Sequence, residues 1–176
     1  SMIISSSVVG ETRLSGEILV DAVGGYTVEI SGPTFNSTYF WKEFNRDNRR
    51  SKATAEVGDT PFSTPLKLHA SFDRMWLTEN AEFTDVRLSV DRDYTGIQAI
   101  DFASSVDGAT PFTFSLASED VSRKFTGSSS NGGSVVRAIG LFGDLVGGNL
   151  EINGEFAPDG SINGLAEIKD FKLVQA

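Results

Sequence analysis

Apolar and polar side chains alternate in run after run of this chain, and that rhythm limits its fold more than any other feature. A period of two places successive side chains on opposite faces of an extended strand. One run is Thr12, Leu14, Gly16, Ile18 and Val20. Tyr26, Val28 and Ile30 follow, closed by Ser31-Gly32-Pro33. Leu66, Leu68, Ala70 and Phe72 form the next, then Val86, Leu88 and Val90, then the stretch from Ile97 to Phe102. Phe112, Phe114 and Leu116 alternate with Thr113 and Ser115. Leu150, Ile152, Gly154 and Phe156 lead into Pro158-Asp159-Gly160, and Ile162, Gly164, Ala166 and Ile168 return. Phe171 and Leu173 fall out of phase with Ile168, which predicts a bulge or a new strand there.

Runs of this length, punctuated by Gly, Asp, Asn and Pro, pair antiparallel when short turns join them. Pro158-Asp159-Gly160 is the strongest hairpin signal. The expected fold is all-β and mainly antiparallel: a twisted sheet with one wet face and one dry face that needs cover. Two stretches break the rhythm. Phe35, Tyr39, Phe40 and Phe44 recur at helical spacing, which predicts a short helix over 34–45 behind a Thr34 or Asn36 cap. Val135, Val136, Ile139, Leu141 and Phe142 predict a second over 134–142, after a loop at Ser128 to Gly133. Polar residues 45–60 read as an exposed loop. An apolar-x-Gly pattern at Gly16, Gly154 and Gly164 hints at similar hairpins, although strand glycines also mark close backbone approach. The whole chain, 1–176, reads as one domain.

Composition removes whole classes of function. With 15 Lys and Arg against 24 Asp and Glu, the net charge is -9, so the chain is too acidic for a general nucleic-acid binder, and an anionic membrane surface is disfavoured. There is no cysteine and one histidine. Thiol chemistry, disulfides and sites needing two imidazoles are therefore excluded. No apolar run approaches the roughly 20 residues of a membrane-spanning helix. The leading Ser1-Met2 reads as a cloning remnant, and the chain as a fragment of a longer protein.

The residues yield no catalytic constellation. His69 sits between Leu68 and Ala70 and reads as a solvent-facing strand residue. Gly132-Gly133 and Gly147-Gly148 lack the companions of a phosphate or dinucleotide loop. Asp91, Asp93 and Asp107 read as turn residues that bond nearby backbone, and no metal site or cofactor is expected. Trp41 and Trp76 fit core packing or, in a carbohydrate-binding β-sandwich, stacking on a sugar. The 13 phenylalanines supply apolar volume, for a closed core or for an apolar groove.

The C-terminal third resembles a known family. Asn131-Gly132-Gly133-Ser134-Val135-Val136-Arg137-Ala138-Ile139-Gly140-Leu141-Phe142-Gly143-Asp144-Leu145-Val146-Gly147-Gly148-Asn149-Leu150 is similar to a recurring segment of AsmA-like C-terminal regions. That group includes the YhdP-type envelope proteins and is related to TamB. Gly154, Asp159-Gly160, Asn163-Gly164 and Asp170-Phe171-Lys172-Leu173 continue the pattern. Pro65 to Leu68 and Phe72 to Leu77 match it more loosely.

The resemblance implies an antiparallel sheet curled into a groove or open barrel with an apolar inside. It implies a periplasmic module of an inner-membrane-anchored Gram-negative protein, implicated in phospholipid transport to the outer membrane and in envelope integrity. The expected role is non-enzymatic. The expected partners are an acyl-chain lipid such as a phospholipid and the remaining segments of the parent chain, with no nucleic acid. The lipid-facing candidates are Tyr26, Val28, Ile30, Leu66, Leu68, Phe72, Phe112, Phe114, Leu116, Leu150, Ile152 and Phe156, expected on one common face. A structural or protein-interaction domain, whose sheet edges dock by strand addition, is the alternative.

Overall fold

The computed structural model describes residues 2–9, 11–22, 24–38, 64–78, 81–119, 122–157 and 161–174. Ten strands run in chain order: β1 (Met2–Val9), β2 (Thr12–Val20), β3 (Tyr26–Asn36), β4 (Leu66–Thr78), β5 (Ala81–Asp93), β6 (Gly96–Val106), β7 (Thr110–Glu119), β8 (Ser122–Ser129), β9 (Leu145–Phe156) and β10 (Ile162–Leu173). A helix, α1 (Gly132–Ala138), lies between β8 and β9. The strands form a single sheet in sequence order, with β1 and β10 at its edges, and the sheet is not closed. The expected fold is therefore found: an all-β, mainly antiparallel, open sheet with a short helix. One pairing departs from it. β3 and β4 run parallel, with Ile30 beside Ala70, because their connection is long and not a hairpin.

Hydrogen-bond register converts the alternation of each run into rows that cross the whole sheet. Gly16, Ile30, Ala70, Leu88, Phe102, Phe114, Gly127, Ile152 and Ala166 lie side by side from β2 to β10. Ile18, Val28, Leu68, Val90, Ile100, Leu116, Phe125, Gly154 and Gly164 form the next row on the same face. No charged residue interrupts either row. At about 4.8 Å per strand, each is an apolar band roughly 40 Å long.

The strands bend beyond these rows. Asp85 takes a left-handed conformation (φ 52°), and the β5–β6 register shifts between Thr84 and Arg87. The extra residue turns the end of β5 so that both Val86 and Phe83 face the core. Phe35, Met75, Phe83 and Val106 then continue the apolar face side by side. The core is centred here, with Phe83 wholly buried at 0% exposure. Its ring lies 5.7 Å from Phe102, edge to face, and 6.1 Å from Phe112. Val135 and Ala138 of α1 are buried in the same cluster, with Val86, Phe112 and Leu150. The helix thus covers one end of the apolar face.

Several local expectations need correction. Thr34, Phe35 and Asn36 are not helical; they end β3 and pair with Arg74, Met75 and Trp76. Parallel pairing with β4 overrides the helical spacing of the phenylalanines. Ser37 follows, its amide donating to the Trp76 carbonyl at 2.8 Å, and Thr38 is helical, its amide donating to the Asn36 side chain at 3.1 Å; the rest of the expected helix, 39–45, and the whole 45–60 loop lie outside the described residues. The expected 134–142 helix is shorter and earlier, and Leu141 and Phe142 are exposed instead of packed. Ser128 and Ser129 belong to β8, not to a loop. Asp91 is a strand residue in β5, beside Lys67 and Ala99, and not a turn residue. The phase change after Ile168 involves neither a register shift nor a new strand. β10 continues unbroken to Leu173, and Asp170 (φ 58°), facing Gly148 (φ 86°), turns the faces.

Candidate functional site: an apolar face and a polar concavity

The register places all twelve lipid-facing candidates on one face. Ile30, Phe114 and Ile152 belong to the first apolar row, and Val28, Leu68 and Leu116 to the second. Tyr26 pairs with Leu66 two residues further along. Phe72, Phe112 and Leu150 stand on the other side of the first row, towards α1. Phe156 shares their parity on β9, and its ring centroid is 5.3 Å from that of Phe125. Phe72, Phe112, Leu116 and Leu150 are buried; the other candidates are half-buried, except Tyr26, which is exposed.

The concavity of the sheet is on the other side. A cavity of about 1230 Å³ is bordered by every strand from β2 to β9. Its side chains are the alternate residues: Glu29, His69, Ser89, Asp101, Ser115 and Thr126 in one row, and Ser71, Arg87, Thr113 and Ser128 in the next. Ile30, Ala70, Leu88, Phe102 and Phe114 of the first apolar row also border it, so its lining is mixed and not apolar throughout. The bends that bring Phe83 and Val86 together under α1 favour packing on the apolar side, and this leaves the polar side open to water.

Chemically the concavity is mild. Hydroxyls bond across it in pairs, Ser115 to Thr126 at 2.9 Å and Thr113 to Ser128 at 3.2 Å. His69 is exposed, stands between Glu29 and Ser89 in its row, and its Nδ1 lies 3.4 Å from the Ser89 hydroxyl. Among the described residues no group of three or more His, Asp or Glu could hold a metal ion. Asp93 accepts hydrogen bonds at 2.6 Å from both the Thr95 amide and the Thr95 hydroxyl. These bonds hold its carboxyl below the usual carboxylate range. Trp76 is half-buried with the Arg74 guanidinium 5.6 Å over its ring, so that face is occupied. Trp41 lies outside the described residues.

Two strands were missed in the sequence. β8 carries only Phe125 as a large apolar residue on its dry face, where Gly127 and Ser129 hold the neighbouring positions. Its alternation is therefore faint. β1 reads MIISSSVV, and Met2 to Ile4 at one end and Val8-Val9 at the other were the only available signal.

No family model, curated protein or solved structure matches the chain in the comparisons made. Among the described residues, no helix is long and apolar enough to cross a membrane.

Proposed function

We propose that this chain is a non-enzymatic lipid-handling module, in which the apolar face of the sheet holds acyl chains while head groups stay in water. The observation that carries this reading is the pair of apolar rows that cross from β2 to β10 with no charge among them. An acyl chain gains about 0.8 kcal/mol per CH₂ removed from water. A chain of about 16 carbons gains on the order of 10 kcal/mol against such a surface before ordering costs, and the interaction needs no directional groups. The band is long enough to accommodate it lying across the strands.

The AsmA-like resemblance of residues 131–150 supports the same reading. It extends the proposal to a periplasmic module of an inner-membrane-anchored envelope protein that helps move phospholipid towards the outer membrane. A structural domain is the competing reading, favoured by the cover that α1 already gives to Phe83 and Val106. Native mass spectrometry of protein purified without detergent, followed by solvent extraction, separates the two. A near-stoichiometric phospholipid or fatty acid supports the lipid module. No adduct, and no binding of added lipid, supports the structural domain.

A further inference from the structure

The apolar face has a cationic rim at the end away from α1. One row beyond Leu68 and Leu116, about 7 Å along the strands, Tyr26, Leu66 and Arg92 lie side by side. Ser118, Arg123 and Phe156 lie side by side at the same level on β7 to β9. Arg92 keeps the parity of Val90 against β4, and Arg123 keeps the parity of Phe125 against β7 and β9. Both side chains therefore leave the sheet on its apolar side, and both are half-buried. The Arg123 guanidinium stands 5.5 Å from the centroid of the Phe156 ring. It also reaches back across β7, where its Nη1 donates to the Ile97 carbonyl at 3.5 Å. Ile97 pairs with Arg92, so the two cations border one stretch of the rim.

In a chain of net charge -9 a cation readily meets an acid. Lys124 bonds Glu119, Arg137 approaches Asp107 and Lys169 bonds Glu167. Among the described residues Arg123 forms no such pair. One long bond to a carbonyl leaves most of its five N–H donors open, and a half-buried charge with so little compensation favours an anion from outside. We infer that this rim holds the phosphate of the bound lipid, with Arg123 as the principal contact and Arg92 beside it. A planar guanidinium takes two phosphate oxygens at once. The rim also runs without a break into the two apolar rows, so a phosphate seated there delivers its acyl chains onto them. The choice of an anion rests on Arg123; the choice of a lipid rests on the lipid-handling reading. A free phosphate ester offers the same chemistry, and the test separates the two sources.

The test is calorimetric binding of dioctanoyl phosphatidic acid, of dioctanoylglycerol, which has the same chains and no phosphate, and of glycerol 3-phosphate, which has the phosphate and no chains. The wild type is expected to bind phosphatidic acid at least about tenfold more tightly than either of the others. Arg123→Gln should keep the thermal transition, lose about tenfold for phosphatidic acid and leave dioctanoylglycerol unchanged. Arg123→Lys, which keeps the charge without the fork, should recover part of that loss. Arg87→Gln removes the same charge from the opposite face, beside Ser71 and Ala103, and should change neither lipid. Equal wild-type affinity for the two lipids overturns the inference whatever the variants do. So does undiminished phosphatidic acid binding by the folded Arg123→Gln protein, or an equal loss from Arg87→Gln. Each of these results leaves the lipid-handling reading standing. Glycerol 3-phosphate bound as tightly as phosphatidic acid, with no binding of dioctanoylglycerol, removes the lipid from both readings and leaves an anion site alone. Binding of none of the three overturns both.

Discussion

Asp107, in the turn between β6 and β7, accepts a hydrogen bond from the hydroxyl of Ser134 on α1. The Asn131 amide reaches the same carboxylate at 2.9 Å, and the Arg137 guanidinium approaches it at 3.5 Å. One turn residue thus fixes the helix that covers the apolar core. Asp107 also holds a left-handed conformation (φ 50°), which Asp tolerates better than most residues. Asp107→Ala loses the acceptor for a buried hydroxyl and adds backbone strain. We expect a loss of about 1–3 kcal/mol in urea unfolding, and a smaller loss for Asp107→Asn.

The ring of Phe125 lies over two glycines. Phe125, Gly154 and Gly164 are neighbours in one row, and a Cβ on Gly164 would come within 3.0 Å of Phe125 Cζ and of the Asn153 carbonyl. The recurring strand glycines therefore make room for a large neighbour and need no repeat to explain them. Gly154→Ala is expected to cost about 1–3 kcal/mol by overpacking. The double variant Gly154→Ala/Phe125→Leu should recover part of that loss, as measured by denaturant midpoint.

Phe83 is the centre of the buried cluster, between Phe102 and Phe112. Phe83→Ala leaves a cavity that the bulged end of β5 cannot close. The expected cost is about 3–5 kcal/mol, read as a drop in the thermal midpoint with the far-ultraviolet signature of the sheet retained below it.

Asp93 gives the chain one predictable response to acid. Its hydrogen bonds from Thr95 lower its folded pKa. Its stabilising effect is thus present above the unfolded pKa and is lost as pH falls through the lowered folded value. Asp93→Asn removes this titration. The stability difference between the wild type and the variant should therefore be constant at neutral pH and change as pH falls through the usual carboxylate range towards the lowered folded value. A difference that instead varied between pH 6 and 8 would contradict the assignment.

The sheet was legible wherever inward positions carry large apolar residues. β4, β7 and β9 read directly, because Leu66–Phe72, Phe112–Leu116 and Leu150–Phe156 alternate without a break. β8 was hidden because Gly127 and Ser129 occupy inward positions where neighbours supply the bulk. Thr34 to Asn36 looked helical because Phe35 sits four residues from Tyr39, a local pattern that cannot anticipate pairing with β4 some forty residues later. The common face of the twelve candidates follows from parity and was legible. The bends were not: Asp85, Asp170 and Gly148 take left-handed conformations, and no periodicity reports those.

The central claim is that acyl chains lie on the apolar face and not in the polar concavity. Photo-crosslinking tests it most directly. Benzoylphenylalanine is introduced at Leu68 on the apolar face or at Ser115 on the polar face, and each protein is irradiated with phosphatidylcholine and weighed by mass spectrometry. The account predicts a lipid adduct at position 68 and none at 115. An adduct at 115 but not at 68, equal adducts at both, or none at either would contradict it.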